Sequence, residues 1–241
     1  YNIGRPASVR SSSTDWVEEG WGPMSFKEDF IQAAMKRGSR IDAFYQAALK
    51  HIKAHGLASQ VGFDDILTQP SAQGPTPQVQ LGPVDVAGSK QGARVTTTLD
   101  LGAMIGGKWT PIDIKFSDNP HDYTGQITAQ MTALAVHSGQ KLEDMQGFVA
   151  AVHKEQGEKV VDKALQQILE AENAASSQGV PADELDKDPT VVAAKSRAYV
   201  SAVREQIAAP VLLAMQRGAT TDTGLTNVIR YQADAPTLAK G

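Results

Sequence analysis

Residues 94–116 read RVTTTLDLGAMIGGKWTPIDIKF, and this stretch decides the fold. Its two halves, residues 94–101 and 109–116, are rich in β-branched and apolar side chains, a composition that favours strands. The glycine pair Gly106-Gly107 between them is a turn signal. We therefore expect a β-hairpin at the centre of the protein.

Helical patterns lie on both sides of this hairpin. Residues 25–56 predict two helices, with a capping-box spacing at Ser25 and Glu28, a stop at Gly38 and an end at Gly56. The second of these helices carries an apolar stripe with spacings of three and four residues, formed by Ile41, Phe44, Tyr45, Ala48 and Ile52. Residues 68–93 are rich in Pro, Gly and Gln, and we expect a surface loop with at most one short strand.

After the hairpin, residues 123–137 predict a helix that ends at Gly139, and residues 148–153 predict a short buried strand. Helices are expected from residue 157 onward, with Asp188 as a cap and Pro210 as a kink or a stop. The predicted fold is α/β, with a small mixed central sheet flanked by helices. Three regions are expected: an extended N-terminal arm (1–23), an α/β core (24–156) and a C-terminal helical extension (157–241).

Composition excludes several classes of site. The 241 residues include 23 Lys plus Arg and 27 Asp plus Glu, for a net charge of −4, so a polybasic coat for nucleic acid is not expected. The chain has no cysteine, which excludes disulfides, thiolate catalysis and iron–sulfur clusters. The longest apolar run, 207–215, contains Pro210 and is too short to span a membrane, and no signal-peptide pattern is present.

The hairpin carries the strongest candidate site. Side chains alternate along a strand, so Asp113 and Lys115 share one face while Ile114 faces the core. Pairing across the glycine turn brings Asp100 near Asp113. Two carboxylates and the Ile114 carbonyl are hard oxygen ligands that suit Mg²⁺ or Mn²⁺, and Lys115 could orient a water molecule or neutralise a phosphate oxygen.

The stretches TTTLDL, PIDIKF and QITAQMTAL, in this order, resemble the PD-(D/E)xK nuclease superfamily and most closely its RecB-like exonuclease branch. The resemblance covers residues 25–153 and implies a restriction-endonuclease-like core. It implies that Asp100 and Asp113 are metal carboxylates, Lys115 the catalytic lysine and Gln130 the helix glutamine, with Gln126 as its alternate. Some members use an acid or a histidine of the first helix, for which Glu28, His51 and His55 are unranked candidates. The family pattern is not followed at two positions, where Thr97 replaces a common Gly and Leu134 a common Tyr.

The sequence thus predicts a Mg²⁺- or Mn²⁺-dependent exodeoxyribonuclease whose partner is nucleic acid, DNA before RNA, with no membrane partner. Two alternatives remain open: a non-enzymatic virion or assembly protein, and an inactive nuclease-like binding domain. A protein partner could bind through the arm or the C-terminal helices. Localisation is open between the cytoplasm and a virion. His51 and His55, four residues apart, could bind zinc, although two exposed helix histidines are the favoured interpretation.

Overall fold

The computed structural model describes residues 37–85, 92, 94–116, 122–217, 220–222 and 226–232. The predicted arm (1–23), the first predicted helix before residue 37 and Glu28 lie outside these residues. The strands are β1 (Asp65–Ile66), β2 (Val79–Asp85), β3 (Arg94–Leu99), β4 (Leu101–Ile105), β5 (Lys108–Phe116), β6 (Gln146–Val152), β7 (Thr220–Asp222) and β8 (Thr226–Gln232). The α-helices are α1 (Arg37–Ala54), α2 (Ala58–Val61), α3 (Thr124–Ser138), α4 (Lys154–Ser177), α5 (Pro189–Val203) and α6 (Ala209–Arg217).

The glycine pair forms the predicted turn. Gly106 and Gly107 have φ values of 59° and 75°, the left-handed conformation that a two-residue hairpin turn requires at both positions. Strands β4 and β5 pair across this turn, with Leu101 opposite Ile112. The prediction of one strand over 94–101 is wrong, however. The chain bends at Asp100, so β3 pairs with β2 and only β4 pairs with β5.

The fold is α/β with a mixed sheet, as predicted. The main sheet has the strand order β1-β4-β5-β6-β8-β7, and β2 and β3 form a separate two-stranded ribbon. Strand β6 is parallel to β5, whereas the other described pairs are antiparallel. A parallel neighbour requires a crossover connection, which α3 provides.

The prediction that the chain is helical from residue 157 is wrong for β7 and β8. Strand β8 pairs with β6 inside the main sheet, so the predicted boundary at residue 156 does not separate the sheet from the helices that follow. The segment TNVIRYQ buries Val228 but has no strict apolar–polar alternation, and the low apolar content of the whole tail gave no further strand signal. Strand β2 similarly extends the short strand expected in 68–93 to seven residues, with a bulge between Leu81 and Val84.

Two apolar cores cover the two faces of the main sheet. The larger core packs α1, α4, α5 and α6 on one face and includes all five residues of the predicted α1 stripe. The smaller core packs α3 against the β2–β3 ribbon through Ile127, Met131 and Leu134, the face predicted for that helix. The sheet is therefore covered on both faces, and Asp113 at its centre is buried.

One of the predicted helix breaks is wrong. Helix α1 runs through Gly38, so the predicted stop there is wrong. Asp188 caps α5 as predicted, accepting hydrogen bonds from the N–H groups of Thr190 and Val191. Pro210 lies in the first turn of α6 and does not end the helix. The π-helical segment Arg204–Ala208 directly before α6 accommodates the hydrogen bond that proline cannot donate.

None of the described helices is long and apolar enough to cross a lipid bilayer.

Candidate metal and phosphate site

The side chains of strand β5 alternate between the two faces of the sheet, and toward its carboxyl end the apolar residues lie on one face and the charged residues on the other. Ile112 and Ile114 belong to the larger apolar core, so the alternation of the strand turns Asp113 and Lys115 to the opposite face. The side chain of Asp113 is 0% exposed and that of Lys115 14%, and Lys115 Nζ lies 2.8 Å from Asp113 Oδ2. A buried carboxylate and a nearly buried ammonium thus meet near the carboxyl end of β5.

Asp100 joins this pair because the chain bends there. Asp100 directly precedes Leu101, which pairs with Ile112 next to Asp113, and Asp100 is 2% exposed. Its Oδ2 accepts a hydrogen bond of 3.1 Å from the Ile114 N–H, which has no β4 residue to bond beyond the bend. Because the N–H and C=O of one strand residue point to the same side, the Ile114 carbonyl is directed to this side as well. Asp100, Asp113 and the backbone of Ile114 therefore lie in one region of the sheet.

Two glutamines of α3 hold Asp113 from the other side. Gln126 Nε2 donates to Asp113 Oδ1 at 2.8 Å, and Gln130 Nε2 donates to the same oxygen at 3.1 Å. Gln130 is fully buried and also donates to the Thr98 carbonyl at 3.2 Å, whereas Gln126 is only half-buried. Both candidate glutamines therefore contact the carboxylate, and Gln126 is the better placed to reach a ligand.

The sequence reasoning missed the contributions of α1 and of Tyr123. Asp42 interacts electrostatically with Asp100 and Lys115, and Gln46, one turn later, donates from Nε2 to the Asp100 carbonyl at 3.3 Å. The Tyr123 ring centroid lies 5.6 Å from Lys115 Nζ, within cation–π range. In the sequence, Asp42 and Gln46 stood out only as two polar residues, four positions apart, beside the apolar stripe.

The electrostatics of the site show an excess of acid. Burial raises the pKa of Asp100 well above its ordinary value, Asp113 raises it further, and Lys115 only partly opposes the rise. Burial likewise raises the pKa of Asp42 to about 6. Burial acts to lower the pKa of Lys115, but Asp113 and Asp100 outweigh it and the pKa is raised. Three acids around one ammonium favour binding of a further cation.

The first-helix histidines lie elsewhere. His51 and His55 stack at 4.0 Å between ring centroids, and His51 Nε2 lies 2.9 Å from Ser196 Oγ of α5. The expectation of two exposed histidines is wrong for His51, which is half-buried against Tyr199. Of the first-helix acids and histidines that the structure describes, Asp42 is the one coupled to the predicted site.

The residues of the site fit a hydrated hard cation. Among the described residues, no group of three or more His, Asp or Glu side chains is arranged around a common point for a metal ion. Two carboxylates and one carbonyl would leave the remaining positions to water, which is how Mg²⁺ is usually held in proteins. The desolvated acids Asp100 and Asp113, with a single neighbouring ammonium, supply the negative charge that such an ion needs.

Comparisons with known proteins are negative. No family model, no curated protein and no solved structure matches this chain.

Proposed function

We propose that the protein is a divalent-metal-dependent nuclease that hydrolyses phosphodiester bonds in DNA. The observation that carries the proposal is the convergence of Asp100, Asp113 and Lys115 where β3 and β4 separate, with Lys115 Nζ 2.8 Å from Asp113 Oδ2. A structural ion pair would not require a second buried carboxylate beside it, because burying an extra acid costs free energy.

Each residue has a role in this reaction. When bound, Mg²⁺ or Mn²⁺ would polarise the phosphodiester and lower the pKa of a bound water molecule. Asp100, Asp113 and the Ile114 carbonyl hold the cation. Lys115 orients the attacking water or neutralises a phosphate oxygen, and Gln126 and Gln130 fix the Asp113 carboxylate.

The order of elements supports a restriction-endonuclease-like core. Helix α1 precedes three strand segments that pair in antiparallel fashion: β2, the bent β3–β4 strand, and β5. Helix α3 then leads to β6, which is parallel to β5. Apart from α2 and the two-residue strand β1, which lie between α1 and β2, this order resembles the α-β-β-β-α-β order of the PD-(D/E)xK superfamily. The resemblance to its RecB-like branch is the ground for preferring DNA and exonucleolytic cleavage.

The edge of the sheet at this site suits a polyanion. Strands β5 and β6 are parallel, so their carboxyl ends lie at the same edge, and helices α3 and α4 follow them in the chain. Ligands of open α/β sheets bind at this edge, and helix N-termini carry partial positive charge that favours phosphate. A protein with a net negative charge can therefore bind DNA through a locally positive electrostatic potential at this edge of the sheet.

The described part of the chain offers little support for the assembly-protein alternative, whose predicted arm lies outside it. Within this part, the exposed large hydrophobic residues are Val136 on α3 and Leu169 on α4. A docking face would need a contiguous patch of several hundred Å². The inactive nuclease-like domain remains the competing function, and only a cleavage assay separates it from the enzyme.

The test is degradation of linear and circular DNA with Mg²⁺ or Mn²⁺. We expect the wild type to degrade DNA and Asp113→Asn to lose cation affinity together with activity, because a hard cation loses a charged ligand. Lys115→Met should lose about 10²- to 10⁴-fold in rate, the usual contribution of a group that assists proton transfer. Its cation affinity should change little.

Matched controls are exposed residues of the same type, Lys163→Met on α4 and Asp183→Asn in the loop before α5, which should behave as the wild type. Activity that survives Asp113→Asn would contradict the proposed site. Binding of cation and DNA by the wild type without cleavage would assign the protein to the inactive alternative. Absence of cation binding would refute the metal site itself.

A further inference from the structure

Two glutamines beside the site, Gln46 and Gln130, each have a buried side-chain oxygen without a hydrogen-bond partner among the described residues, and Gln46 has no role assigned so far. Gln46 on α1 uses its Nε2 to donate to the Asp100 carbonyl at 3.3 Å. The Oε1 of the same amide is buried and has no hydrogen-bond partner among the described residues. A buried acceptor without a donor costs free energy, and such atoms in folded proteins call for a specific explanation, such as an ordered water or an ion.

The position of this oxygen suggests the missing donor. Because Nε2 bonds the backbone of Asp100, the whole amide lies at the bend where the Asp100 carboxylate turns toward Ile114. Asp42 lies one turn earlier on α1 and interacts electrostatically with Asp100. Helix α1 therefore presents hydrogen-bond acceptors near Asp100, whereas the glutamines of α3 contact Asp113.

A hydrated cation supplies donors at this place. Mg²⁺ keeps several of its water molecules when one or two carboxylates bind it, and the O–H groups of those waters need acceptors. Groups that contact the ligands and waters of a metal tune its affinity, commonly by 10- to 100-fold. Gln46 Oε1 is the kind of acceptor that such waters require.

We infer that Gln46 is an outer-sphere ligand: its Oε1 accepts a hydrogen bond from a water molecule of the cation held by Asp100 and Asp113. Its Nε2 keeps the amide in place through the Asp100 carbonyl. The inference rests on the proposed metal site but assigns a residue outside the resemblance. A purely structural role would instead depend only on the donor, Nε2, which fixes the bend at Asp100.

Two substitutions separate the acceptor from the donor. Gln46→Met keeps the length of the side chain and removes both groups, whereas Gln46→Glu removes the donor and keeps an acceptor. Binding of Mg²⁺ alone to the metal-free protein is measured by titration calorimetry, and folding by a urea titration of the same samples. Gln167→Met, an exposed glutamine of α4, is the matched control.

We expect Gln46→Met to bind Mg²⁺ about 10- to 100-fold more weakly with a nearly unchanged urea midpoint, and Gln46→Glu to bind at least as tightly as the wild type. Wild-type affinity in Gln46→Met, or an equal loss in both variants, would overturn the inference and leave the proposed function standing. Absence of Mg²⁺ binding by the wild type would overturn both. If Gln46→Met does not fold, Gln46→Leu takes its place in the comparison.

Discussion

Replacement of Asp42 tests the electrostatics of the site without touching a proposed metal ligand. The side chain is half-buried on α1, and burial raises its pKa from 3.8 to about 6, against a smaller opposing effect of Lys115. Between these two values the native protein holds a proton that the unfolded chain releases. The free energy of unfolding therefore falls as the pH rises through this window, and the loss persists above it.

The size of the loss follows from the shift in pKa. At about 1.4 kcal/mol per pKa unit, the shift of Asp42 corresponds to about 3 kcal/mol. Partial contact with solvent reduces this, so we expect about 2 kcal/mol. Asp42→Asn keeps the shape of the side chain and cannot ionise. The variant should be more stable than the wild type by about 2 kcal/mol near pH 8, and the two should converge near pH 4.

The measurement is urea denaturation of both proteins in EDTA at several pH values, compared as the difference in free energy of unfolding. That difference reports the titration of Asp42 together with its coupling to Asp100 and Lys115, because groups that do not interact with Asp42 contribute equally in both proteins. Asp183→Asn, at an exposed position, should show a difference that does not vary with pH. If Asp42→Asn is less stable than the wild type near pH 8, the charge is paired favourably and the reasoning about excess acid is wrong.

Two further predictions concern residues that are already partnered. Burial lowers the pKa of His51 from 6.5 to about 4, so the free energy of unfolding should fall as the pH decreases through this window. His51→Gln should remove about 1–2 kcal/mol of that fall, measured by Tm between about pH 7 and 4.5. An equal fall in both proteins would contradict this. Gln130→Leu removes the fully buried donor that Asp113 and the Thr98 carbonyl share, although Gln126 and Lys115 still contact Asp113. It should cost about 2–3 kcal/mol in urea denaturation, against about 1 kcal/mol for Gln126→Leu, whose site is open to water. Equal costs would show that Gln130 is not the structural member of the pair.

Local rules accounted for most of what the sequence revealed about the core. The period of α1, the turn at Gly106-Gly107 and the alternation along β5 each depend on residues within a few positions of one another, and all three appear in the structure. Alternation alone is enough to turn Asp113 and Lys115 to one face and Ile114 to the other. The bend at Asp100 was not predictable in this way. It arises because β3 pairs with β2 whereas β4 pairs with β5, and which strands pair is not determined by neighbouring residues in the sequence.

Contacts between distant elements explain the other differences. Gln46 and Asp100 are 54 positions apart, and no periodicity connects a helix residue to the backbone of a strand bend. The pairing of β8 with β6 likewise joins a short, mostly polar segment to a strand about 80 residues earlier, where burial of Val228 outweighs the low apolar content of the tail. Propensity is a weak prior in such places, since tertiary pairing decides the structure.

The polar groups of the site lie in the interior although their burial opposes folding. A core built for stability alone would replace Asp100 and Asp113 with apolar residues of similar size, because a buried acid beside another acid opposes folding. Here the acids are retained, oriented by the Ile114 N–H and by two glutamines, and supplied with one ammonium instead of two. We expect a cation to stabilise an arrangement that is fully oriented but incompletely neutralised, so addition of Mg²⁺ to the metal-free protein should restore part of the stability that the acids cost, measured as a higher urea midpoint.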